Sequence, residues 1–270
     1  REVPAGCASL DKEECAGIIM EHLIQLKKLV ILSYFRQPSI TQKILTQEMD
    51  RMGIQYIYTE RPVPIIKKAG SWENYLKSRG NKFRYEYKTA LKMAGKSGKI
   101  ELVTLNDFDI EATLADIRKI ALKNWKGKTG VAIVIEKGGE SFYRELFKHW
   151  LPKKYTRLSF LKLNDEIIAY LIGFMMDGNY YAFDISFDEK YKKMMPGVII
   201  FTKVIEELFH QGFSVFDFNY NAGYISRWTD ETAQVADLMV FPKGFRGSVL
   251  ELGNRIKKTY QQNKKERKND

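Results

Sequence analysis

At 270 residues, 44% apolar and 13% aromatic, the chain can bury one large core or two compact lobes, so global disorder is excluded. Two cysteines and three histidines, without a Cys-x-x-Cys, encode neither a disulfide framework nor a His/Cys metal centre, and no metal is expected. The net charge of +11 suits phosphate-bearing cofactors, RNA or an anionic membrane surface and does not choose among them. No apolar run approaches the ~18–20 residues that cross a bilayer. Asp11, Lys12, Glu13 and Glu14 precede the first apolar helix, unlike a secretory leader, and a reducing cytoplasm is the expected setting.

In chain order, Ile19, Leu23, Leu26 and Val30 repeat at helical spacing from residue 15 onward. Residues 30–35 read as a short strand, and 39–52 as a helix with Ser39 as N-cap. Gly53 closes that helix and 54–58 supplies another β-rich run. Residues 72–93 read as one basic helix carrying Phe83, Tyr85 and Tyr87, ended by Gly95 and Gly98 before a strand at 100–105. A helix over 109–125 follows, striped by Leu114, Ile117 and Ala121, then a basic glycine-bearing loop at 126–130 and a helix at 141–150. The period then changes to two. Residues 157–163, 167–175 and 180–186, joined by turns at Asn164-Asp165 and Asp177-Gly178, predict an antiparallel meander, its middle strand apolar on both faces and so central.

The richest stretch is 184–228, DISFDEKYKKMMPGVIIFTKVIEELFHQGFSVFDFNYNAGYISRW. It reads as strand, Pro196-Gly197 break, amphipathic helix over Ile200, Val204 and Leu208, parallel strand at 213–218, and a Tyr/Trp-rich loop. Such a crossover is right-handed, and its helix start offers orphan N–H groups to a phosphate. A last strand at 233–241 and a closing helix at 248–258 complete the pattern. The polar, basic end of the chain, 259–270, reads as a disordered tail.

A three-strand meander feeding strand–helix–strand resembles the core of the GCN5-related N-acetyltransferase (GNAT) fold. WKGKTG, YYAFDISFDEKYKKMMPG and FDFNYNAGYISRW resemble the BioF2-like or CelD-like acetyltransferases, which are related to the Fem-type aminoacyltransferases that pair two GNAT lobes. RGNKFRYEYKTALKMAG is similar to the Fem-type element between lobes, so that the likeness spans roughly residues 72–242. The chain departs from the pattern in two places. Met194-Met195-Pro196-Gly197 stands where ordinary GNATs have a Gln/Arg-rich pyrophosphate loop, and Tyr224-Ile225 where relatives often carry Tyr-Lys.

The resemblance implies an α/β protein with a mixed sheet flanked by helices, in tandem lobes of which the first is incomplete. Residues 1–98 would form the partial N-terminal lobe with its basic linking helix, and 99–258 the C-terminal lobe with the active site. The implied reaction is N-acyl transfer from acetyl-CoA or another acyl-CoA, without a metal, to an amino group of a small molecule, glycan or peptide. A sugar or a cell-envelope precursor is the expected acceptor class. A thioester carbonyl would meet backbone N–H groups at Ile185, Ser186 and Phe187. Gly197 and Val198 would hold the pyrophosphate, against the plainer reading of a buried helix start. Asp217, between Phe216 and Phe218 on an apolar strand, is either the general base or a structural acceptor for a nearby turn. Tyr224 could protonate the leaving thiolate, while Trp228, Trp125 and Lys126 could contact the acceptor; core aromatics and an exposed loop are the plain alternatives. Asp184 and Asp188 are weaker base candidates, read by default as solvated turn carboxylates. The helix of Arg79, Lys82, Arg84 and Lys88 could track RNA or simply present a solvated basic face. Two further functions therefore stand beside the first, a tRNA-dependent Fem-type aminoacyltransferase and a non-catalytic module of the same fold. Peripheral contact with the inner face of a membrane fits the charge.

Overall fold

The computed structural model describes residues 12–25 and 27–242, and the chain divides into two compact units, Arg1–Pro62 with Ala233–Asp270, and Val63–Thr232. The closing helix expected at 248–258 and the tail at 259–270 lie outside the described residues. The boundary expected at residue 98 falls inside the second unit.

In the first unit, α1 (Lys12–Gln25) and α2 (Ile40–Arg51) accompany strand β1 (Val30–Arg36), which pairs antiparallel with the last strand, β8 (Thr232–Val240). Ser39 is the N-cap, its Oγ accepting from the Gln42 N–H at 3.1 Å. Met20, Phe35, Leu45, Met49, Ala236 and Leu238 form this unit's core.

Strand β2 (Tyr56–Lys67) begins in the first unit and ends in the second. The β-run expected at 54–58 continues through Pro62 and Pro64 to Lys67: in the second unit it pairs over Ile65–Lys67, and the Pro64 carbonyl accepts from the Phe218 N–H.

The second unit contains helices α3 (Trp72–Ser78) and α4 (Asn81–Ser97), strand β3 (Ile100–Leu105) and helices α5 (Ile110–Leu122), α6 (Trp125–Lys128) and α7 (Gly139–Trp150). The meander β4 (Thr156–Leu163), β5 (Glu166–Met176) and β6 (Asn179–Phe187) follows, then crossover helix α8 (Pro196–Gln211) and strand β7 (Val215–Asp217). Strand order is β2-β7-β6-β5-β4-β3, antiparallel except for the parallel pair β6–β7. β5 is the buried middle strand of the meander, and Asp177 and Gly178 turn with φ 51° and 74°, as an Asp-Gly hairpin requires.

One face of this sheet is covered by α4 and α8 through Phe83, Tyr87, Phe201 and Leu208, the other by α5 and α7 through Leu114, Ile117, Tyr143 and Phe147. The helix expected over 72–93 is two helices. Arg79 is extended (ψ 150°) and Gly80 takes the N-cap of α4, so the chain turns there, leaving Arg79 half-buried and Lys82 exposed at the bend. The helix expected over 109–125 ends at Leu122, because Asn124 caps a new turn by accepting from the Lys126 N–H at 3.1 Å. Among the described residues no helix is long and apolar enough to cross a membrane.

Candidate active site

The two parallel strands pair only at Asn179↔Val215, Tyr180↔Phe216 and Tyr181↔Asp217. β7 then stops, while β6 runs on to Phe187 with no strand along that edge among the described residues. Two side chains cap carbonyls on the open edge. Lys126 Nζ donates to the Ile185 carbonyl at 3.1 Å, and Asn124 Nδ2 to the Phe187 carbonyl at 2.9 Å. A strand residue points its N–H and C=O to the same side, so the N–H groups of Ile185 and Phe187 face that edge as well. A cavity of about 410 Å³ opens there, within the range of small-molecule sites.

Its walls are strand β6 at Ile185, Ser186 and Phe187, α6 at Trp125 and Lys126, the start of α8 at Gly197 and Val198, and the segment bearing Tyr224, Arg227 and Trp228. Residues separated by a hundred positions in sequence are thus brought to one place. Glycine holds α6 there: a Cβ on Gly127 would stand 2.1 Å from the Ala121 carbonyl oxygen, inside backbone contact distance. Gly127→Ala is expected to destabilise the protein by about 1–3 kcal/mol, read as a lower midpoint in urea denaturation; an unchanged midpoint would mean that α6 is not held by this contact.

The start of α8 has fewer free donors than a simple helix N-terminus. Met195, left-handed at φ 53°, accepts through its carbonyl from the N–H groups of Val198 (2.9 Å) and Ile199 (3.2 Å). Pro196 has no N–H. Of the two N–H groups expected to meet a pyrophosphate, that of Val198 is therefore engaged within the turn, and that of Gly197 is left.

Asp217 takes the second of its two sequence readings, whereas Asp184 and Asp188 depart from theirs. Asp217 is fully buried, its Oδ1 accepts from the Asn219 N–H at 2.8 Å, and it is not among the residues that line the cavity, so it serves the turn after β7. Asp184 and Asp188 are buried rather than solvated. Asp184 Oδ2 accepts from the phenols of Tyr143 (2.8 Å) and Tyr170 (2.9 Å), with Lys126 Nζ 3.8 Å from Oδ1. Burial, and then the Asp184 charge, push the Tyr170 phenol well above its ordinary pKa, so it stays a donor. Asp188 caps the turn after β6 through the Lys190 N–H and lies 2.8 Å from Lys123 Nζ. Asp184 thus stands beside Lys126, and Asp188 holds the turn that follows the strand.

One acid does reach the cavity, and the sequence reading passed over it. Glu86 on α4 lines the wall and pairs through Oε2 with Arg227 Nη1 at 3.0 Å. Arg227 also donates to the Tyr224 carbonyl at 2.9 Å and lies over the Trp228 ring. Tyr224, 44% exposed, is hydrogen-bonded to the Tyr220 phenol. Burial pushes both phenols upward, so each is protonated at neutral pH. Trp228, 1% exposed, donates its indole N–H to Thr202 Oγ1 at 3.1 Å and forms part of the cavity wall and of the core at once.

A parallel crossover that opens into a cavity is the architecture of the GNAT fold. The chain belongs to the family described as the acetyltransferase (GNAT) domain, which matches residues 81–224, just over half of its length. Among curated proteins, none matches. Solved structures that share the fold include the following three. The C-terminal domain (DUF2156) of a putative lysylphosphatidylglycerol synthetase from Agrobacterium fabrum is 8% identical with a TM-score of 0.53, over 85% of this chain and 74% of that one. FemX is 10% identical with a TM-score of 0.53, over 84% and 78%, and L-PGS from Bacillus licheniformis is 12% identical with a TM-score of 0.50, over 82% and 71%.

Proposed function

We propose that this chain transfers an acyl group from a thioester, acyl-CoA, to the amino group of an acceptor. The observation that carries the reading is the parting of β6 and β7 after Tyr181, which leaves a mostly apolar slot with inward N–H groups at Ile185 and Phe187. A pantetheine arm is long, narrow and amide-bearing, and such an edge can pair with it as a strand would. Gly197, at the helix start, and Lys126 would meet the anionic and carbonyl ends of the donor.

Within this reading Glu86 takes the proton that converts the acceptor's ammonium to the attacking amine and passes it to solvent. The C–N bond forms as the C–S bond breaks, and Tyr224 relays the second nitrogen proton to the departing thiolate, giving an amide and free thiol. Lys126, 3.1 Å from the Ile185 carbonyl, stands on the same edge as the N–H donors and adds positive charge where oxygen becomes negative. Asp184 and its two tyrosines hold that lysine in place.

Coenzyme A at 100 times its Kd is expected to stabilise the protein by about 2.7 kcal/mol, measured by thermal unfolding against adenosine nucleotides that lack the arm. No stabilisation by CoA, together with salt-sensitive tRNA binding, would replace the donor by an aminoacyl-tRNA. Solved neighbours such as FemX and the exposed Lys82, Tyr85 and Lys88 on α4 give that second reading its footing. Silence in both tests would leave a non-catalytic module.

A further inference from the structure

A second cavity, of about 540 Å³, adjoins the first and shares Glu86, Tyr224 and Arg227 with it. Its character is different. Where the slot is walled by Ile185, Phe187, Val198 and Phe201, this chamber is walled by Arg79, Lys82, Arg227, Glu86, Asp230 and Ser226. Its charges are not mutually satisfied. Arg227 is committed to Glu86, and Arg79 donates to the Trp228 carbonyl at 3.0 Å. The nearest carboxylate to Arg79 is Asp230, 3.6 Å away and 89% exposed, a contact that solvent screens. Lys82 is exposed on the rim and has no ion-pair partner among the described residues. Among the described residues three cations thus face two carboxylates, and Arg79 and Lys82 belong to this chamber and not to the slot.

We propose that the acceptor is a small primary amine that also carries an anionic group, a carboxylate or a phosphate. This rests on the reading of the first cavity as the thioester slot. The ammonium sits at Glu86, a carboxylate common to both cavities, so its nitrogen faces the slot. The anion extends outward to Arg79 and Lys82, which selects against amines of the same size that lack an anionic group and fixes the direction in which the acceptor lies. An amine without that anion would leave the Arg79 side without a counter-charge.

The test pairs matched ligands on the whole chain: glucosamine 6-phosphate against glucosamine, and alanine against alaninamide. Binding is measured calorimetrically with and without CoA, in the parent and in Lys82→Glu and Lys82→Arg. The expected result is at least about tenfold tighter binding of the anionic member of one pair, lost in Lys82→Glu and kept in Lys82→Arg. The pair that discriminates identifies the anion as phosphate or carboxylate. Equal binding of the members with and without the anionic group, discrimination that survives Lys82→Glu, or no amine binding at all would each overturn the proposal. CoA binding beside any of those failures would leave the thioester slot standing. Anion-selective amine binding without any CoA binding would keep this chamber and remove the acyl-CoA donor.

Discussion

Glu86→Gln is expected to lower kcat by roughly 10²–10⁴-fold, the range that positioned proton acceptors supply. The substitution keeps the shape of the side chain and a hydrogen-bonding oxygen for Arg227, which sits 3.0 Å from Oε2, but removes the basicity. Because Glu86 lies on the wall shared by the two cavities, while the open β6 edge and Gly197 line the slot alone, CoA-dependent stabilisation is expected to persist. Raised pH would restore part of the lost rate, as more of the acceptor arrives already deprotonated. A Glu86→Gln enzyme with kcat within threefold of the parent would remove this residue from the proton path.

The largest expected effect on stability belongs to Trp228→Ala. The ring packs against Phe83, Phe201 and Phe218 at centroid distances of 5.7, 5.2 and 5.9 Å, and Trp228 is 1% exposed. Truncation creates a cavity and leaves the Thr202 hydroxyl without its indole partner, a loss of about 3–5 kcal/mol. That is a large share of the roughly 5–15 kcal/mol a domain possesses. The loss would be felt at the site as well, since the Trp228 carbonyl accepts from the Tyr75 phenol at 2.7 Å and from Arg79. Urea denaturation of the two proteins measures it; a difference below 1 kcal/mol would mean that α4, α8 and this segment are held together by something else.

The meander and crossover were legible in the sequence because each rests on local signals: period-two alternation, an Asp-Gly turn, and a helix begun at Pro196-Gly197. The broken helix at Arg79-Gly80 was not, since Phe83, Tyr87 and Ala90 continue at a helical spacing that hides the interruption. The candidate site divides in the same way. Trp125, Lys126, the 185–187 edge, Gly197, Tyr224 and Trp228 were named from the sequence and all meet at the first cavity. Val198 meets it too, but its N–H is turned inward by a left-handed Met195 that no sequence rule marks.

The acids were the least readable part, because a carboxylate's role depends on partners distant in sequence. Asp217 sat in the apolar context expected of a perturbed base, yet the Asn219 N–H two residues on claims it. Asp184 seemed a turn residue until Tyr143, 41 positions earlier, closed over it. Glu86 was submerged in a run of lysines and arginines, and its partner Arg227 is 141 positions away. An isolated acid within a basic helix was the one available sign.

The most direct test is a crystal structure of the protein with CoA bound. The pantetheine arm is expected between β6 and β7 beyond the Tyr181–Asp217 pair, hydrogen-bonded to the N–H groups of Ile185 and Phe187, with the sulfur on the side of Tyr224 and Glu86. Strands β6 and β7 paired through to Phe187, or CoA lodged elsewhere on the surface, would contradict it.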